Sequence, residues 1–431
     1  MKRTGMVTIA VVLGMLLLFE SCSKSNKNVE SEEDDSVTLK IANYAILESG
    51  YESFWKGVKN DFEEKYPDIK IEWVTAPYGD VVNQVINMAG GGEKIDAVYG
   101  EITWVPSLED AGLAAPVTDI LPANFLSDFY PDILKAFDIN GKPYGIPLFI
   151  SPYILYYNKN LFKQAGLDPN RPPKNYDEML HYAEKLSKLK DPNGNQIYAF
   201  GQTTASVPVS GSSINGMVFN FGGTVLDEKG KLSIDNTGFK ETFEMLQLLD
   251  KKGYNPQNAK LKDLRNLFAL GRLAMYYDQS WGFNGVQSIN PDAKDFTASA
   301  APLKGGSGDG KSILQAHCLI LVDNGKSHTD ALSCFCQYLI TAQCLGGFMS
   351  SIIPAYPAKK SMSNMDGIIN SPILSGAASA ATNVKNQTFI PQLNDLDLEL
   401  CKLAQAVTVG NQNIDTAIDD FKKTVSVKLG N

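Results

Sequence analysis

The chain has 431 residues, 44% hydrophobic and 20% charged, and a formal net charge of −9. That is the composition of an ordinary globular protein too long for one hydrophobic core, so two lobes are expected. No Lys/Arg cluster interrupts the acidic balance, which argues against nucleic acid as a partner, and His181, His317 and His328 lack zinc-ligand spacing, so no metal or cofactor is expected.

Lys2 and Arg3 precede an apolar run from Met6 to Phe19, the pattern of a secretory signal and too short to span a membrane comfortably. Leu18-Phe19-Glu20-Ser21-Cys22 resembles a bacterial lipobox. That resemblance implies a signal peptide over 1–21, a lipid on Cys22 and attachment to a membrane. Residues 22–36 hold Glu30, Glu32, Glu33, Asp34 and Asp35 with almost nothing to bury, and read as a disordered acidic tether. Cys318, Cys334, Cys336, Cys344 and Cys401 remain, and they are expected to be buried, unpaired thiols.

In the folded part, Val37, Leu39 and Ile41 alternate with polar residues as a strand does. Phe54, Val58 and Phe62 recur every four residues, predicting a helix that stops at Pro67. Ile69, Ile71 and Trp73 give a second strand, Val81 to Ala89 a second helix closed by Gly90-Gly91-Gly92, and Ile95 to Tyr99 a short buried strand. Such alternation implies βαβ units and a mainly parallel sheet, with ligands held beyond the carboxyl ends of its strands. Further helices are predicted near 177–189, 239–252, 329–341, 395–408 and 414–428.

Several blocks in order resemble the family 1 extracellular solute-binding proteins, the group that contains maltose-binding protein. They are Phe62 to Ile71 (FEEKYPDIKI), Asp96 to Tyr99 followed by Leu108 to Pro116 (LEDAGLAAP), and Gly141 to Pro147 (GKPYGIP) followed by Leu155 to Gly166 (LYYNKNLFKQAG). Phe268 to Met275 (FALGRLAM), Trp281 and Ile353-Pro354-Ala355 complete the series. The resemblance implies an α/β, two-lobe periplasmic-binding-protein fold of type II character, each lobe a mainly parallel sheet flanked by helices. The lobes are expected over 37–150 with 298–344, and over 151–297 with 345–431. It implies a sugar ligand in the cleft at the hinge, ABC permease subunits as partners, and a monomer that closes on its ligand.

Sugars are recognised by aromatic faces and by polar groups that satisfy hydroxyls. Trp104, beside Glu101 and Thr103, and Trp281, beside Asp278 and Ser280, fall where the family places cleft residues. Tyr44 and Glu48 follow the first strand, and Tyr153 lies at the first crossing between lobes. Asn215 sits where related proteins present a polar or aromatic group from the second lobe. His317 begins a strand returning to the first lobe, and Tyr356 follows Pro354 near the last crossing. Each also has a plainer reading as packing, hinge or surface, whereas Trp55 and Trp73 occupy regular helix and strand positions expected to pack. Glu48, Glu101 and Asp278 could also serve a polyamine, while a glycosidase pair in an exported enzyme has only their loop positions behind it, and bonds to vicinal hydroxyls explain them without catalysis. No GxSxG elbow or phosphate loop accompanies them, and Arg171, Arg265 and Arg272 give no sign of an anion site.

Overall fold

A computed structural model describes residues 36–48, 50–390 and 392–430. The expected signal peptide, Cys22 and the tether up to residue 35 lie outside the described residues. The strands in chain order are β1 (Val37–Asn43), β2 (Ile69–Val74), β3 (Ala97–Glu101), β4 (Asp138–Ile139), β5 (Lys142–Pro143), β6 (Ile146–Ile150), β7 (Tyr153–Asn158), β8 (Met275–Gln279), β9 (Thr297–Ala300), β10 (Ser312–Ile313), β11 (Ala316–Leu321), β12 (Tyr356–Pro357) and β13 (Val384–Lys385).

The first lobe is built on a six-stranded sheet in the order β12-β6-β11-β3-β1-β2. β1 runs parallel to β2 and β3, with Leu39 opposite Ile71 and Ile41 opposite both Trp73 and Ala97. The helix between β1 and β2, Glu52–Lys65, buries Trp55, Val58 and Phe62 against this sheet. Trp55 is fully buried and meets Trp73 edge-on at 5.7 Å, so both indoles are packing groups.

The second lobe holds the three-stranded sheet β8-β7-β9. Leu155 and Tyr157 of β7 join one core, while Ile154 and Tyr156 join another on the opposite face. Alternation across a pleated strand with both faces covered explains why every β7 residue is apolar or aromatic up to Asn158. Helices Tyr176–Leu186, Thr237–Lys251, Leu393–Val407 and Ile414–Leu429 enclose this lobe, close to their expected positions, and Lys326–Leu339 packs on the first.

Strand direction and lobe boundaries differ from the expectation. The parallel βαβ order holds for β1 to β3. β11 then pairs antiparallel with β3 and β6, and β12 antiparallel with β6. The second-lobe sheet is antiparallel on both sides of β7. The return to the first lobe, expected near Ala298, instead runs through Leu314 and Gln315, because Thr297–Ala300 pairs with β7 and Ile313 belongs to the second-lobe core. The last crossing, expected near Leu345, comes after Leu374, because Leu345, Phe348, Tyr356 and Leu374 all pack in the first core. Ser151-Pro152 connects β6 to β7.

Among the described residues three helices of eight residues or more escaped the sequence reading, Leu261–Ala269, Gly282–Ile289 and Pro208–Asn220, and the last has a physical reason. Pro208–Asn220 is buried on nearly every side, so it carries no apolar stripe for periodicity to detect. The five cysteines among the described residues are free thiols, with Cys318, Cys336 and Cys401 buried and Cys334 and Cys344 half-buried. No helix among the described residues is long and apolar enough to cross a membrane.

Candidate functional site: an aromatic cluster at the hinge

The carboxyl ends of β1 and β3 lie side by side, and each ends in a turn of 3-10 helix. After β1, the Asn43 side chain accepts the Ala45 N–H at 2.9 Å and caps the turn Tyr44–Leu47, which fixes the Tyr44 ring over the strand ends. After β3, the turn Ile102–Trp104 folds the Trp104 indole back over the strand. Gly100 makes that possible: a Cβ there would lie 2.4 Å from the indole Cε3.

Tyr78, from the segment between β2 and the helix Val81–Gly90, completes a platform. Its ring lies 5.1 Å from Tyr44 and 5.3 Å from Trp104, and Tyr44 lies 5.7 Å from Trp104. Tyr44 is buried, Trp104 half-buried and Tyr78 44% exposed, so the cluster opens to solvent through Tyr78 and Trp104. Sequence reasoning missed Tyr78, although the Pro77-Tyr78-Gly79 turn ahead of a helix was a signal available to it.

Behind the platform, His317 of β11 stacks on Tyr99 at 5.4 Å and meets the Tyr44 hydroxyl at 2.7 Å through Nε2. Burial holds the imidazole down to about 3, so the ring is neutral at ordinary pH. The Glu101 carboxylate, register partner of His317, stands 3.8 Å from that nitrogen. Burial raises the Glu101 carboxyl, partly offset by the hydroxyls of Tyr78 and Thr103 that approach it. Facing His317 from the other lobe's sheet is Trp281, which follows β8 and meets the imidazole edge-on at 5.0 Å. Its backbone N–H donates to Ser151 Oγ at 3.2 Å, so the indole is carried on the hinge itself.

The structure thus gathers Tyr44, Tyr78, Glu101, Thr103, Trp104, Trp281 and His317 at the carboxyl edge of the first-lobe sheet, beside the crossing segments. Aromatic faces with a carboxylate between them suit a ligand that is apolar on its C–H faces and rich in hydroxyl donors.

The sequence profile described as bacterial extracellular solute-binding protein matches residues 44–331. The chain belongs to that family. A multiple sugar-binding protein of Streptococcus mutans is 22% identical over 354 residues, 80% of each chain. Among solved structures, the cyclic α-maltosyl-1,6-maltose binding protein of Arthrobacter globiformis superposes with a TM-score of 0.80 at 17% identity, over 91% of this chain and 98% of that one. The sugar-binding protein MalE of Xanthomonas citri gives 0.78 at 18% identity, over 91% and 98%. At such identities the two structures show the two-lobe fold and nothing finer.

In this solute-binding protein several of the other expected contacts are engaged with protein groups. Asp278 is fully buried and bound at both oxygens by Arg265, Nε to Oδ2 at 2.6 Å and Nη2 to Oδ1 at 2.8 Å. It is a structural carboxylate that also neutralises Arg265, and it is available neither to a ligand nor to a glycosidase pair. Ser280 is buried with its hydroxyl 2.8 Å from both Ser151 Oγ and the Pro354 carbonyl, tying two crossing segments together. The Tyr356 hydroxyl donates to the Leu374 carbonyl at 2.7 Å inside the first core. Glu48 is exposed at the end of the first turn. The expectations for Asp278, Ser280 and Tyr356 are corrected for one reason: a loop or strand-end position does not say which way a polar atom turns.

Tyr153 and Asn215 remain as second-lobe residues. Both are buried, and the Tyr153 hydroxyl and Asn215 Oδ1 have no hydrogen-bond partner among the described residues. Tyr153 lines a cavity of about 10 Å³ together with Ser213, Met217, Tyr277 and Ser312. That is room for one water, which would satisfy the hydroxyl, and not for a solute.

Proposed function

We propose that this protein is the substrate-binding lipoprotein of an ABC importer and takes a mono- or oligosaccharide between its lobes. The observation that carries the sugar reading is the platform of Tyr44, Tyr78 and Trp104 with the desolvated Glu101 carboxylate beside it. Rings stack on the C–H faces of a pyranose while the carboxylate accepts from vicinal hydroxyls, and both interactions strengthen as water is excluded. The sugar-binding relatives support the same class of ligand.

Closure follows from the crossings. Ser151-Pro152, Leu314-Gln315 and the segment after Leu374 are the connections between the two cores, and Trp281 sits among them against His317. A sugar touching the platform and the second lobe together binds the closed form better than the open one, and that differential affinity drives closure. The permease subunits then read the closed shape. Attachment through a lipid on Cys22 rests on the lipobox resemblance, with residues 22–36 as tether.

A thermal-shift screen of residues 36–431 against maltose, maltotriose, tagatose, mannitol, sn-glycerol 3-phosphate and spermidine tests the reading. A ligand at a hundred times its dissociation constant adds about 2.7 kcal/mol of stability. Stabilisation by saccharides is the expected result. Stabilisation by spermidine alone, or release of reducing ends from maltotriose, would overturn it.

A further inference from the structure

We propose that the ligand of this site is an amino sugar, whose ammonium group pairs with the Glu101 carboxylate beside the rings of Tyr44, Tyr78 and Trp104. The inference rests on the saccharide reading above and narrows it. The C–H faces and hydroxyls go to the platform as before, and one hydroxyl position of the sugar carries a positive charge.

Glu101 ends β3, and its side chain is 21% exposed, so it is largely enclosed by protein and still open to a ligand. Tyr78, whose ring touches both Tyr44 and Trp104, brings its hydroxyl to the carboxylate, and Thr103 does the same. Hydroxyls share a charge without cancelling it. Among the described residues the only basic side chain at ion-pair distance is His317, at 3.8 Å, and burial keeps its ring neutral. The chain's own cations are engaged elsewhere, Arg265 on Asp278, Arg272 on Asp191 and Lys40 on Glu93. Burial raises the Glu101 carboxyl, and no lysine or arginine brings it back down. An acid in that position is short of a counter-charge.

An ammonium group supplies that counter-charge. It favours the ionised carboxyl, so the two meet as an ion pair even where burial alone disfavours the charge, and the pair is stronger in a site from which water is excluded. The rings add to the attraction, because the negative face of a tyrosine or tryptophan draws a cation. The protein makes no such use of them itself: its lysines lie over Tyr66, Phe125 and Phe219, and none among the described residues lies over Tyr44, Tyr78 or Trp104. A phosphate or carboxylate on the ligand would be repelled. A polyamine would want several such acids, yet Asp278 is neutralised by Arg265 and Glu48 stands exposed, where water screens it. One uncompensated carboxylate beside stacking faces matches one ammonium on a sugar ring.

Calorimetry in slightly acidic buffer, which keeps a sugar amine protonated, compares glucosamine with glucose and the glucosamine disaccharide with cellobiose. Within each pair an ammonium stands where the other sugar has a hydroxyl, so stacking area is nearly constant. The wild type is expected to bind the amino sugar about tenfold or more tightly, and the ratio is expected to fall to about one in Glu101→Gln, which keeps the shape and loses the charge. A merely structural role for Glu101 would lower both affinities together and leave the ratio unmoved. Equal affinities within each pair in the wild type, or a preference that survives in Glu101→Gln, would overturn this inference and leave the saccharide reading standing. If that variant does not fold, the wild-type ratio decides alone. Binding of maltose or maltotriose with none of these sugars bound also overturns this inference alone, and a wild type that binds no saccharide overturns both.

Discussion

The Tyr44 hydroxyl and His317 Nε2 meet at 2.7 Å inside a ring of aromatic side chains, so the platform residue and the strand behind it are locked by one buried, uncharged hydrogen bond. The imidazole is held neutral, because a charged ring would stand desolvated among Tyr99, Phe149 and Trp281. The Glu101 carboxylate stands 3.8 Å from it.

That bond has a pH signature. Burial lowers His317 from 6.5 to about 3, so between those values the unfolded chain binds a proton that the folded one refuses. The His317 contribution to stability is therefore complete above about pH 6.5 and is lost as pH falls towards about 3, by roughly 1.4 kcal/mol per pH unit. Urea unfolding at pH 6.5 and pH 5 is expected to show a steeper loss in wild type than in His317→Gln. Equal slopes would mean the ring is protonated in the fold.

The indoles carry the second prediction. Trp104→Ala and Trp281→Ala are each expected to weaken saccharide binding by about 1 kcal/mol or more with the fold intact, since stacking area is lost from a surface that is already half open. Calorimetry on each variant checks it. Unchanged affinity in both would move the site away from the hinge.

The contrast between residues read well and residues read badly has a physical source. Tyr44, Glu101 and Trp104 could be placed at strand ends because the first strands of the six-stranded sheet and the helix between them show clean period-two and near-four-residue patterns. Asp278 had the same kind of position, yet its carboxylate turns inward to Arg265, and nothing in a linear sequence fixes that rotation. The helix Pro208–Asn220 hides because burial on nearly all sides removes the stripe that periodicity detects. Asp397 sits in the run Asp395-Leu396-Asp397-Leu398-Glu399, where it looks like one more acid on a solvated face. Its burial in the fold shows instead that it faces protein. The boundary near Ala298 failed for a related reason: a short apolar strand says nothing about which sheet takes it, and Thr297–Ala300 joins β7.

Arg265→Ala is expected to be strongly destabilising without touching the platform. It leaves the fully buried Asp278 carboxylate with only the Gln279 N–H at 2.8 Å and the Tyr276 hydroxyl at 3.3 Å. Breaking a buried pair on one side costs about 3–5 kcal/mol, and restoring neutrality with Asp278→Asn in the same chain is expected to recover part of it. Denaturant midpoints for the single and double variants measure this. A single variant as stable as wild type would mean that water screens the pair.

Attachment is tested in cells. Cys22→Ser is expected to move the protein from the membrane fraction to the soluble envelope fraction, because the thiol that would carry the lipid is gone. Mass spectrometry of the wild-type N-terminus supplies the complementary reading. An unlipidated wild type that still fractionates with membranes would end the lipoprotein proposal.

Gly100 offers a way to disturb the platform without altering a single group that faces the ligand. A Cβ at this position would stand 2.4 Å from Trp104 Cε3 and 2.9 Å from Cζ3, well inside contact distance, so Gly100→Ala must push the indole off the strand. Overpacking of this kind costs about 1–3 kcal/mol. The indole is half-buried and can swing outward, so much of the effect is expected to fall on the ligand rather than on the fold. Saccharide affinity in Gly100→Ala is therefore expected to drop about as far as in Trp104→Ala, and the double variant is expected to lose little more than either single one. Such non-additivity is the mark of two residues acting through one contact. Additive losses in calorimetry would show that Gly100 serves the strand and that Trp104 reaches the ligand without its help.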